Sequence, residues 1–248
     1  MEWPIPPQVL TQFISYLQVI HGRWRASIIL RRIPIEDRPE VQLKCVACEV
    51  LEQRRPDWGL QRKWFGNYLA MPEENRRTGL FQTSLSHLQR SHDFERVLFS
   101  CEVMKVNKRG RVQHRAILIS DNHLFKLDPN KGYQRKRSPI PFQDIQGFGI
   151  SPQKDQGFIV HLRGGSDIIC YMLCPNQEDR VSELCAVLFQ ICRRKCGNTL
   201  RVNVTNPLPF SVSGKYKQLF CQEDKVPRPL IKKNGGNGFI LFWPVSAY

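Results

Sequence analysis

Between Val97 and Lys195 the chain alternates strand-like runs with turn residues and then closes on a helix. This order limits the fold more than any other feature. The runs "VLFSCEVMKV", "RAILISD", "HLFKLD", "SPIPFQDIQGFGIS", "GFIVHLR" and "DIICYML" are short and rich in β-branched and aromatic residues. Gly, Pro, Asp and Asn separate them, as in a sandwich or barrel of short antiparallel strands. "NQEDRVSELCAVLFQICRRK" follows. Asn176 with Asp179 gives it a capping-box-like start, acidic residues crowd its first turn, and Arg193, Arg194 and Lys195 end it, all of which favour a helix. Val181, Leu184, Cys185, Leu188, Ile191 and Cys192 form one apolar stripe along it.

An amphipathic helix placed after about seven strands is what an open barrel end needs to cover its core. The expected fold is therefore α+β. A pleckstrin-homology-like seven-stranded β-barrel with a C-terminal capping helix fills residues 97–196, N-terminal helices precede it, and a small β extension follows. Residues 1–57 read as helices after a Pro-rich entry. Val9, Leu10, Phe13, Ile14, Leu17 and Ile20 recur at helical spacing, and a second helix runs from about Glu36 to Gln53 with Val41, Cys45, Cys48 and Leu51 on one face. Residues 58–196 form the core unit, entered through "WGLQRKWFGNYLA", the loop "MPEENRRTG" and a helix-like "TSLSHLQRS". Residues 197–248 form the extension, in which "TLRVNVTN", "KYKQLFCQ" and "GFILFWPV" read as three more strands. Trp58, Trp64 and Tyr68 fit two roles, an aromatic lock on the core or a binding cluster.

Charge narrows the class of partner. The chain has 37 Lys and Arg against 22 Asp and Glu, a net charge of +15. Such a surplus suits an anionic partner, either nucleic acid or a membrane surface. The excess is concentrated in one window. Lys105, Lys108, Arg109, Arg111, Arg115, Lys126, Lys131, Arg135, Lys136 and Arg137 are opposed there by Asp121 and Asp128 alone. Ten cations less two carboxylates leave +8 between Lys105 and Arg137. Tyr133 in that window suits either insertion at headgroup level or packing on its own turn. Lys232 and Lys233 read as part of an exposed Gly-rich loop.

Other chemistries find little footing. Cys45 and Cys48 are spaced C-x-x-C with no second pair at zinc-finger distance, so they read as small buried or half-buried apolar side chains. The six histidines show no ligand spacing, and no G-x-S-x-G, H-E-x-x-H or paired-carboxylate motif is present. No run approaches the length of a membrane span, and the N-terminus lacks the basic and apolar regions of a signal peptide.

Several ordered segments resemble one family. "DWGLQRKWFGNYLA", "VLFSCEVMKVNKRGRVQHRAILISDNHLFKLDPNKGY", "IPFQDIQGFGISPQKDQGFIVHL" and "RVSELCAVLF" are similar to the tail-homology domain of class I myosins. "WPIPPQVL" with "RWRASIILRRIP" resembles the segment after the light-chain-binding neck in the short-tailed D/G type, and "LRVNVTNPLPFSVSGK" and "GFILFWP" extend the match. The resemblance implies the membrane-binding tail of an actin-based, calmodulin-regulated motor, with residues 1–57 as the neck–tail junction. It implies anionic lipids, including phosphoinositides, as partners, and it calls for no cofactor. It also places the protein in the cytoplasm, peripheral at the plasma membrane and the cortical cytoskeleton. Actin would be reached only through a motor domain. No Walker A motif occurs in the chain, so it is expected to be a tail without the motor and not an enzyme.

In pleckstrin-homology domains a Lys late in the first strand and a basic-x-Arg on the second grip headgroup phosphates. Lys105 and Arg115 match the outer positions, while Gln113 stands at the middle one. Gln113 donates a hydrogen bond but brings no charge, which weakens the case for stereospecific recognition and leaves general anionic-lipid attraction. The expected lipid site comprises Lys105, Lys108, Arg109, Arg111, Arg115, Lys126, Arg135, Lys136 and Arg137. In the first helix, Leu17-Gln18 opens an IQ-like motif whose Gly22 comes one position early. That helix reads either as a plain junction or as a basic amphipathic calmodulin target built on Phe13, Leu17 and Trp24 with Arg23 and Arg25. Two other readings of the basic strip stand beside the lipid one: a nucleic-acid-binding module and a protein-interaction scaffold. No aromatic residue lies between Lys105 and Arg115 to stack on bases, so nucleic acid is not expected.

Overall fold

The structure, a computed structural model, describes residues 7–52, 55, 62–164, 166–173, 178–197 and 199–245. The chain divides into two compact units, Met1–Gln42 and Leu43–Tyr248.

The first unit holds α1 (Pro7–Arg32), a 3-10 turn at Ile35–Asp37 and the start of α2 (Arg38–Leu51). No acidic residue occurs along α1. Leu10, Phe13, Ile14, Leu17, Ile20 and Trp24 are all exposed, so the predicted helical spacing is present without a covered face.

In the second unit the rest of α2 turns Leu43, Val46, Ala47, Val50 and Leu51 toward the core. Cys45 and Cys48 are exposed instead, which corrects the expected phase of the helix. Both stripes have helical spacing, and the larger aliphatic set buries more apolar area than one containing two thiols.

The main sheet runs β4-β3-β2-β1-β8-β7-β6-β9, with β5 paired to β3. Its strands are β1 (Val97–Val106), β2 (Val112–Ser120), β3 (His123–Asp128), β4 (Gln134–Arg135), β5 (Ile140–Pro141), β6 (Ile145–Ile150), β7 (Gly157–Leu162), β8 (Ile168–Tyr171) and β9 (Arg201–Val204). Neighbours are antiparallel except β6 and β9, which are parallel. The chain thus adopts the α+β, pleckstrin-homology-like arrangement of consecutive antiparallel strands followed by a helix, α4 (Arg180–Cys196). No hydrogen-bonded pairing joins β4 to β9 among the described residues, so the sheet curls without closing.

Side-chain alternation along β1 to β3 gives the sheet two dry faces. On the inner face, Phe99, Cys101, Val103, Ile117, Ile119 and Leu124 pack with Leu184, Cys185, Leu188, Ile191 and Cys192 of α4. Asp179 caps that helix by accepting from the Ser182 backbone N–H. Asn176 lies outside the described residues. On the outer face, α3 (Thr78–His92) lays Phe81, Leu85 and Leu88 against Ala116, Leu118, Phe125, Leu127 and Tyr133. A second sheet, β10-β11-β13-β12, covers the rest of that face. It comprises β10 (Leu208–Val212), β11 (Lys215–Asp224), β12 (Leu230–Lys233) and β13 (Gly238–Pro244). Phe210, Leu219, Phe239 and Leu241 pack on Val106, Ile159 and Ile169.

Arg55 fastens the entry segment to this body. Its guanidinium donates to the carbonyls of Ser151 at 2.8 Å, Gln153 at 2.5 Å and Asp155 at 2.6 Å, and to both Asp179 oxygens at 3.2 Å. Burial opposes its charge, but Asp179 and then Asp155 outweigh that and raise the Arg55 pKa; Arg55 in turn holds Asp179 below the usual carboxylate range against burial. Trp64 and Tyr68 are buried, so they lock the core rather than form a binding cluster; Trp58 lies outside the described residues. Tyr68 donates to Glu183 at 2.5 Å, and the Arg180 guanidinium lies 3.9 Å from its ring centre.

Candidate functional site

The long β1–β2 hairpin sets the site. Lys105 pairs across it with Gln113, and Val103 with Arg115. Alternation puts Lys105, Gln113 and Arg115 on the inner face, in line with Val103 and Ile117 of the core. On β3 the same rule places Lys126 and Asp128 inside, two and four residues past the core residue Leu124. At this end of the curled sheet the apolar filling therefore gives way to cations.

Lys105 and Lys126 are half-buried, and Lys105 lies close enough to lower the Lys126 pKa. Burial is the main force lowering both, and Arg137 adds to it in each case. Arg115 also lowers Lys105, and Lys105 helps push Lys126 down to about 8. The Cys170 thiol beside them is pushed up to about 12 by burial. It is neutral at pH 7 and supplies no countercharge. No carboxylate lies within 4.0 Å of either lysine among the described residues. Asp128, buried below them, forms an ion pair with Arg115 at 3.3 Å and sits 4.0 Å from Lys136. Arg115 also donates to the His114 carbonyl at 2.6 Å. One carboxylate thus serves two cations, and neither of them belongs to the lysine pair.

The hairpin tip is built by Asn107, whose side chain accepts from the backbone N–H groups of Arg109 at 2.8 Å and Arg111 at 3.0 Å. Gly110 takes φ +77°, and a Cβ there would come within 2.9 Å of Phe239 and 3.4 Å of Lys233. The tip therefore rests on the second sheet, with Lys108, Arg109 and Arg111 exposed. Lys232 and Lys233 belong to β12 rather than to a loop, and Lys233 is brought beside the hairpin. Only the pairing of β12 with β13 places it there, a contact the Pro-flanked sequence "RPLIKK" did not reveal.

The expected residues do not all gather. Lys105, Arg115, Lys126 and Arg137 form one group, with Lys136 near Asp128 and the tip cations beyond. Arg135 pairs with Leu127 on the outer face, where its Nη1 donates to His92 Nε2 at 2.9 Å. Tyr133 is buried, stacks edge-on to Phe81 and shares its one hydroxyl proton between Glu102 at 2.7 Å and Asn75 at 2.9 Å. Its packing satisfies the hydroxyl inside the protein, which overturns insertion at headgroup level and differs from packing on its own turn.

Residues 55–241 match the family model described as unconventional myosin tail, actin- and lipid-binding. The chain is 40% identical to unconventional myosin-Id of Homo sapiens and of Bos taurus over 98% of its own length, and 35% identical to unconventional myosin-Ig of Homo sapiens over the same share. It spans 24% of the length of each of these curated relatives. Among solved structures it resembles the hSac2 domain of a human phosphoinositide phosphatase, with TM-score 0.40, 14% identity, and coverage of 57% of this chain and 94% of that one. It also resembles the N-terminal PH domain of human ARAP2, with TM-score 0.31, 15% identity, and coverage of 39% and 79%.

Proposed function

Because this chain belongs to the unconventional myosin tail family, we propose that it tethers a class I motor to anionic phospholipids, phosphoinositides included, through its basic rim. The observation that carries the reading is the half-buried pair Lys105 and Lys126 with Arg137 and Arg115 beside it and no carboxylate on the lysines among the described residues. Gathering like charges costs free energy, and a phosphate entering between them recovers it. Lys108, Arg109, Arg111 and Lys136 add long-range attraction. Each contributes roughly 1 kcal/mol near an anionic leaflet and is weakened by salt. Arg135 serves a different surface, and Lys233 takes its place at the rim.

The mechanism has two stages. Diffuse attraction brings the rim to the bilayer, and the lysine pair then holds a headgroup phosphate while Gln113 offers a neutral donor. In the motor, residues 1–57 join this tail to the neck, with 58–196 as the lipid-binding core and 197–248 bracing the hairpin. The exposed apolar and basic residues of α1 support calmodulin there, a second partner. Actin is engaged through the motor domain, and the protein resides at the plasma membrane and cortical cytoskeleton.

Co-sedimentation with phosphatidylcholine vesicles containing phosphatidylserine or a phosphoinositide tests the reading. Lys105→Ala with Lys126→Ala should weaken binding about tenfold or more at near-physiological salt. Unchanged binding would remove the pocket. Equal retention on RNA at matched salt would favour the nucleic-acid reading, and binding that persists in high salt the protein scaffold.

A further inference from the structure

A second cationic surface lies on the outer side of the same sheet, away from the rim. One face of α3 and the β3–β4 connection enclose a groove of about 440 Å³, within the roughly 300–1,000 Å³ of small-molecule sites. Ser84, His87, Ser91 and His92 line the helix wall, and Lys131 and Arg135 the other; no carboxylate lines it among the described residues. We propose that this groove is a second anion site, which takes a phosphate monoester and binds it more tightly as pH falls from about 7.5 to 6.5.

The hydrogen bonds already made decide which groups are free to hold an anion. Ser84 donates to the Tyr133 carbonyl at 2.8 Å and Ser91 to the His87 carbonyl at 2.8 Å. The serine protons are therefore committed to the backbone. What remains is Arg135, Lys131 and the imidazoles. Arg135 Nη1 donates to His92 Nε2 at 2.9 Å, and guanidinium has no acceptor to return. His92 Nε2 must therefore be unprotonated in this contact. Protonating His92 turns a hydrogen bond into two cations side by side, and an anion bridging them restores the attraction.

The neighbours of His92 act in the same direction. On α3 it has His87, on β3 the ring of His123 at 6.4 Å and of Phe125 at 5.3 Å, and on β4 Arg135. Partial burial, then Arg135, His123 and His87, lower the His92 pKa. Burial lowers that of His123 as well. In the empty groove these two rings stay neutral to lower pH than usual. A bound dianion raises the His92 pKa, so binding takes up a proton and must strengthen as pH falls. A phosphate monoester loses part of its own charge near pH 6, so the effect is greatest above that value.

Histidine-ring NMR of the whole chain tests this, with inorganic sulfate as a probe whose charge does not change over the range. Sulfate should raise the His92 titration midpoint by roughly 1 unit. Lys105→Ala with Lys126→Ala should preserve the shift, and Arg135→Gln should abolish it. Preservation in the rim variant separates this site from the rim reading, which can fail while the groove stands. A His92 midpoint that ignores sulfate, or responds equally in Arg135→Gln, overturns the proposal. Two arms then identify the source of the phosphate. Either a soluble inositol phosphate reproduces the shift, or phosphoinositide vesicles retain the rim variant several-fold better at pH 6.5 than at 7.5. Failure of both overturns the monoester assignment.

Discussion

Among the cations withdrawn from water in the described residues, Arg55 and the Lys105–Lys126 pair differ in whether the chain supplies their anion. Arg55 is buried against Asp179 and three carbonyls, so every direction of its fork is filled by the chain itself. Lys105 and Lys126 are half-buried beside Arg137 and Arg115, with the nearby Asp128 taken up by Arg115 and Lys136. The first arrangement is complete and holds structure. The second carries repulsion, which in the proposed reading an outside anion relieves. In that reading, satisfaction of charge, more than its amount, separates a structural cation from a binding one.

Breaking the complete centre should have the largest effect. Arg55→Ala leaves Asp179 buried and unpaired and should cost about 3–5 kcal/mol in denaturant unfolding. A loss under about 1 kcal/mol would show that the pair does not fasten the entry segment. Breaking the incomplete centre should do the reverse. Lys126→Met removes a strained charge, so unfolding stability should stay level or rise, while vesicle binding falls about tenfold. A loss of stability matching the loss of binding would make Lys126 a structural residue like Arg55.

Solution pH sharpens the contrast. Lys126 is depressed to about 8 from 10.5, so the fold favours its neutral form. Its penalty on stability is full below pH 8 and fades as pH rises toward 10.5, so its contribution to stability improves over that window. Anion binding needs the charged form and should weaken up to about tenfold between pH 7 and 9. Flat binding across that range would exclude Lys126 from the contact. A smaller gain should come from Gln113→Lys, which adds a third lysine opposite Lys105. Binding to phosphoinositide vesicles should strengthen by about 1 kcal/mol, and no gain would mean that the position does not face the phosphate.

The longer strands of the main sheet were legible because alternation and turn residues mark them, whereas β4 was not read and β5 and β6 were read as one run. "HLFKLD" coincides with β3 and "VLFSCEVMKV" with β1. β10 and β12 were not, because Pro209, Pro227 and Pro229 break the pattern and such strands are defined by their partners. Lys105 and Arg115 could be placed from sequence through the hairpin. Arg135 could not be assigned to a face, since a two-residue strand has no periodicity of its own. Arg55 gave no signal at all. Its partners lie 96 to 124 residues away, and an arginine before a proline reads as a surface turn. The exposure of Cys45 and Cys48 was missed because helical spacing fits more than one stripe of α2.

In the proposed reading the lysine pair waits for an anion. Side-chain NMR of Lys126, titrated with and without a soluble inositol phosphate, tests it most directly. Starting from about 8, the midpoint should climb by roughly 1 unit or more when the phosphate binds, and Lys105→Ala should raise it in the unbound protein. A midpoint already near 10.5, or one that the inositol phosphate leaves in place, would contradict the account.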